Sequence, residues 1–111
     1  MKVKTINFKG EKMSIVFEKL KPFINVCPIT NKKEKVTLKV EYIPNEKVID
    51  IVDFRRVMSE QTNELIESIA QRVYKMLKEC ANPSYLCVTA FLIGDGQNLT
   101  DWSVTIKSDE R

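Results

Sequence analysis

The apolar residues change period at Asn82-Pro83, and that change constrains the fold more than any other feature of the chain. Before it, Leu65, Ile66, Ile69, Val73, Met76, Leu77 and Cys80 recur every three or four residues, the spacing of one helix face. The spacing predicts a helix over about 59–80, and proline stops it by disfavouring helical geometry in the residue before it. After the proline, Leu86, Val88, Ala90 and Leu92 alternate as a strand with one buried face, over Tyr85 to Leu92. The cluster Gly94-Asp95-Gly96-Gln97-Asn98 is a turn signal, and Asp101 to Lys107 returns as a strand with Trp102, Val104 and Ile106 inward.

Upstream, Val36, Leu38, Val40 and Tyr42 alternate with Thr37, Lys39 and Glu41 until Pro44-Asn45, and Met13 to Phe17 reads as an earlier short strand. Asp50 is a good N-cap for a short helix ending at Arg56 or Met58. The order is strand, strand, helix, helix, strand, strand. It predicts an α+β domain: an antiparallel four-stranded sheet with both helices on one face. Such a sheet has open edges and too few strands to close alone, which predicts a homo-oligomer with ligand sites between subunits. The 111 residues fit one domain, 1–111, with 1–12 a flexible or strand-forming arm.

The chain has no histidine, which removes Ser-His-Asp and Cys-His catalysis and His-ligated zinc. No Gly-rich phosphate loop or metal-ligand cluster is present. Three cysteines without CxxC spacing point to free thiols in a reducing, cytoplasmic setting, where the Asn98-Leu99-Thr100 sequon carries no weight. No apolar run reaches membrane-spanning length, and the charged N-terminus is unlike a leader. A net charge of +3, with lysines at 2, 4, 9, 12, 19 and 21, permits a nucleic-acid partner without specifying one.

Cys27, in Asn25-Val26-Cys27-Pro28-Ile29-Thr30, lies outside every apolar pattern and is held extended by the proline after it. Lys32, Lys33 and Lys35 would lower its pKa if their ammonium groups approached. From position alone it is either a nucleophile or a small packing residue, as Cys80 and Cys87 are by their place in apolar runs. Glu34, seven residues later, is either an acid/base partner for the thiol or a solvated loop charge. Glu67, beside the helix stripe, reads by periodicity as an exposed helix charge. Asp50 and Asp53 suit a helix start, and Lys32-Lys33 and Arg55-Arg56 suit solvent.

Val26-Cys27-Pro28-Ile29-Thr30, then Glu34, then Val40-Glu41-Tyr42-Ile43-Pro44 with Glu46-Lys47, together resemble one family. It is the tunnelling-fold (T-fold) family of 7-cyano-7-deazaguanine reductases, with its shorter archaeal QueF-like amidinotransferases of archaeosine synthesis. The resemblance runs over about residues 23–92 and implies a fold of the same element order, assembled into shared β-barrels. By position it makes Cys27 the nucleophile that forms a covalent thioimide with a nitrile. Glu34 stands where the family's proton-transfer acid, normally Asp, belongs. Glu67 falls on the glutamate that grips the base, and Ile66 stands at a substrate-binding position where the family often has His. Reductases carry Glu-Ser-Lys-Ser-Leu-Lys for their nicotinamide cofactor. Here Asp50-Ile51-Val52-Asp53-Phe54-Arg55 has neither lysine. The resemblance therefore implies the amidinotransferase branch, in which ammonia meets the thioimide on tRNA carrying 7-cyano-7-deazaguanine, without a cofactor. No second domain makes ammonia, so free ammonia or a separate donor is implied. An NADPH-dependent nitrile reductase and a non-catalytic binding module are the alternatives.

Overall fold

The alternating segment at 36–42 is the middle of the longest strand. In the computed structural model, which describes residues 2–93 and 100–108, the elements run β1 (Thr5–Asn7), β2 (Ile15–Phe17), β3 (Phe23–Val26), β4 (Lys33–Ile43), β5 (Lys47–Ile49), α1 (Ile51–Val57), α2 (Ile66–Ala81), β6 (Tyr85–Ile93) and β7 (Thr100–Lys107). β4 pairs antiparallel with β6 from Lys35↔Ile93 to Ile43↔Tyr85, and β6 pairs with β7. The other side of β4 is taken by two short strands, β2 against 40–42 and β3 against 33–36. β1 and β5 form a separate antiparallel ribbon.

The expected mixed α+β domain, with two helices and antiparallel pairing, is what forms. The strand count is higher than the sequence suggested. β1, β3 and β5 have three or four residues each, too few to show a period. The turn expected over Gly94–Asn98 lies outside the described residues.

Val36, Leu38, Val40 and Tyr42 face the core with Leu86, Val88 and Ala90. Both helices cover this face. α2 packs Ile66, Ile69, Ala70, Val73, Met76, Leu77 and Ala81 into the same cluster. α1 contributes Phe54, whose ring lies 5.9 Å from Phe17, itself 5.9 Å from Tyr42. Val104 and Ile106 pack against the cluster as expected, but Trp102 is 48% exposed. Its row of the sheet runs Val36, Leu92, Trp102, and cover thins along it toward the β7 edge.

α1 starts as read: Asp50 Oδ1 accepts from the N–H of Val52 (3.0 Å) and of Asp53 (3.2 Å). α2 ends as read, on Asn82 at φ 45°, ψ 54°, a left-handed cap that Asn tolerates. Its start differs. The helix begins at Ile66, not near 59, because the backbone of the preceding segment is bonded elsewhere. Val26 N–H donates to Thr62 O (2.9 Å), and Thr62 N–H donates to Ile24 O (3.0 Å). This leaves Leu65, expected on the stripe, outside the helix and exposed.

Candidate active site

Cys27 is the first residue past β3, where the chain turns into β4. Its N–H donates to Lys32 O (3.0 Å), and Asn31 N–H donates back to Cys27 O (2.8 Å). Asn31 takes φ 60°, a left-handed position that Asn accepts more readily than most residues. The turn wraps backbone donors around the sulfur. Thr30 N–H, then the Thr30 hydroxyl, then Ile29 N–H hold the thiol below its ordinary pKa, against partial burial and the nearby Glu34 charge. Ile29 beside it is 79% exposed, so the turn is open to a partner molecule.

The acidifying groups are thus not the lysines that sequence position suggested. Lys32, Lys33 and Lys35 are exposed, while neutral donors fixed by the turn reach the sulfur. Cys27 remains half-buried, in keeping with a reactive thiol that a substrate can reach. Cys80 packs against the core, and Cys87 is half-buried in β6.

Glu34 lies on β4 directly across from Asn25. The hairpin therefore brings Cys27 and Glu34 to one end, close enough for the carboxylate to oppose ionisation of the thiol. Glu67 is exposed in the first turn of α2. Among the described residues no hydrogen bond or ion pair joins it to Cys27 or Glu34. Ile66, 3% exposed, is packed in the core.

Asn25 is a further residue of the site, not expected from the sequence. Its amide is fully buried and bonds Glu34, Thr62 and Glu64. Glu64 in turn chelates Arg72, with Nε 3.1 Å from both carboxylate oxygens. Beside these residues runs a groove of about 270 Å³ lined by Met58, Gln61, Thr62, Asn63, Glu64 and Arg72. The available signal was a polar residue at an inward position of β3, one alternation from buried Phe23. Among the described residues no group of Cys, Asp and Glu side chains is placed to hold a metal ion. No described helix is long and apolar enough to cross a membrane.

No family model matches the chain. It is 33% identical over 67 residues to an archaeosine synthase of Pyrobaculum calidifontis, across 59% of this chain and 62% of that protein. The match thus spans less than two thirds of that relative. Its fold is similar to the crystal structure of the archaeosine synthase QueF-Like in the apo form, with a TM-score of 0.68 and 25% identity. That similarity covers 91% of this chain and 96% of the other. The chain is thus similar to archaeosine synthases, in sequence over part of its length and in fold over nearly all of it.

Proposed function

We propose that this protein modifies tRNA, converting the nitrile of 7-cyano-7-deazaguanine to the formamidine of archaeosine with ammonia as second substrate. The observation that carries the reading is an acidified, half-buried Cys27 thiol with a carboxylate, Glu34, beside it. Glu34 takes the thiol proton as the sulfur adds to the nitrile carbon, and returns it to the nitrile nitrogen. The carbon–nitrogen triple bond becomes the double bond of a Cys27 thioimide. Ammonia then adds to the same carbon. The tetrahedral adduct collapses, breaking the carbon–sulfur bond, and Cys27 leaves as thiolate to take up the proton lost from ammonia. The sum is nitrile plus ammonia giving amidine, with no change of oxidation state.

The donors from Ile29 and Thr30 serve this sequence twice, because they favour thiolate both as attacking and as leaving group. Glu67, exposed at the start of α2, supplies an acceptor for the base, and surface lysines supply salt-sensitive attraction to tRNA phosphates. Sites between subunits of a homo-oligomer complete the reading. In place of a reductase's lysine-rich cofactor segment, residues 50–55 build the start of α1. There Asp50 caps the helix and Asp53 is bound by Lys4 N–H and Arg56.

Incubation with tRNA bearing the nitrile base and an ammonium salt, followed by nucleoside mass spectrometry, tests the proposal. An amidine is expected, and none with Cys27→Ala or Cys27→Ser. NADPH consumption with the nitrile base would show a reductase instead. A folded protein that binds the base yet forms no Cys27 adduct would mark a binding module.

A further inference from the structure

We propose that Asn25 is a positioning residue: its side-chain amide fixes the Glu34 carboxylate beside Cys27 and ties it to the 62–64 segment. Asn25 is 0% exposed. Its Nδ2 donates one hydrogen to Glu64 O and the other to Glu34 Oε1, both at 2.8 Å. Its Oδ1 accepts from Thr62 Oγ1 (2.7 Å) and Glu64 N–H (3.1 Å). A backbone N–H can only donate and a carbonyl can only accept, so Glu64 alone fixes which end of the amide is oxygen. The remaining hydrogen must then face Glu34.

A glutamate side chain has several rotamers, and in solution it samples them all. Here one carboxylate oxygen is pinned by an amide that cannot rotate without breaking three other bonds. The pin is anchored across the molecule, since Glu64 is itself clamped by Arg72 at 3.1 Å. Polar contacts therefore link Arg72, Glu64, Asn25 and Glu34, and the charge of Glu34 is felt at Cys27. A buried amide at an inward strand position is costly unless its bonds are made, and an apolar side chain would fill the site beside Phe23 without that demand. A stapled loop alone would account for the bonds to Thr62 and Glu64. It would not account for the one to Glu34.

The place of Asn25 in catalysis rests on the proposed nitrile chemistry, but its hold on Glu34 can be tested without a nitrile. Alkylation of Cys27 by iodoacetamide is followed against pH by peptide mass spectrometry, which separates it from Cys80 and Cys87. The proteins compared are wild type, Glu34→Gln, Asn25→Ser and the double variant. Lys32, Lys33, Lys35 and the Glu64–Arg72 pair, the other charges of the hairpin and its neighbour, are the same in all four. Glu34→Gln removes the opposing charge, so the alkylation midpoint moves to lower pH. Asn25→Ser frees the carboxylate and moves it the same way, and the double variant shifts no further than Glu34→Gln alone. A wild-type midpoint for Asn25→Ser, or fully additive shifts, overturns the proposal.

Should Asn25→Ser not fold, NMR of the Asn25 amide in wild type and Glu34→Ala decides. An amide proton that moves upfield in the variant supports the contact, and an unchanged signal overturns it. In the nitrile assay Asn25→Ser lowers kcat by about 100-fold with KM little changed, the scale of a misplaced catalytic group. A wild-type kcat overturns the catalytic role. If the wild type makes no amidine while the alkylation coupling holds, the proposed function fails and the hold on Glu34 stands.

Discussion

Two residues at the start of a hairpin turn, Ile29 and Thr30, set the chemistry of a third. Thr30 gives Cys27 both its N–H and its hydroxyl, and the hydroxyl can be removed without touching the backbone. Thr30→Val leaves the two N–H donors in place, so the thiol pKa rises part of the way back and Cys27 alkylation shifts to higher pH. An unshifted curve would remove the hydroxyl from the account. Asp53 is a perturbed carboxylic acid. Lys4 N–H first, and the Arg56 side chain second, hold its carboxyl below the usual range. A depressed folded-state pKa contributes stability above the unfolded value, near 3.8, which is lost as pH falls through the folded one. Asp53→Asn therefore lowers the melting temperature at pH 7, and the gap to wild type closes as pH drops below that range. Thermal melts from pH 7 to pH 2 read this directly. At this scale the sequence was partly legible. Cys27 and Glu34 are marked by a proline and a short spacing, both local. Asn25 bonds residues up to 39 positions away, and no local pattern reports such partners.

At the scale of elements, legibility followed length. The 16 residues of α2 and the 9 of β6 each show their period several times over; β6 lies where the period places it, and α2 ends where it does. The start of α2 was misplaced by about two turns. Ser59 to Glu64 are tolerable in a helix, yet their backbone is claimed by β3 and by Asn25, so tertiary bonding overrides local preference. Leu77 sits at the centre of the buried stripe with no exposed surface. Leu77→Ala costs about 2–5 kcal/mol, through lost burial and the cavity left behind. Asp50→Ala, which removes the side-chain cap of α1, costs about 1 kcal/mol. Urea titrations of the two variants should rank them in that order. A larger loss at the cap than in the core would mean that α1, rather than the α2–β6 packing, limits stability.

The whole molecule presents an open sheet. β7 closes one side of it and the β2–β3 pair the other, and each edge carries an exposed apolar side chain, Trp102 and Val16. Strand edges left bare invite pairing with other chains, and natural proteins blunt or cover them. Pairing edge to edge between identical copies, closed by rotational symmetry, covers both edges at once and stops further growth. That arrangement would give a small domain a substrate cleft that one sheet and two helices do not enclose, and would supply base-binding contacts from a second subunit. Light scattering on the purified protein should then give a multiple of 12.9 kDa. Trp102→Lys places a charge on the β7 edge without entering the core, so it should lower the mass and the nitrile conversion together while leaving the fold intact by circular dichroism. A monomeric variant that still makes amidine at the wild-type rate would place the complete site within one chain, and the exposed edges would then need another explanation.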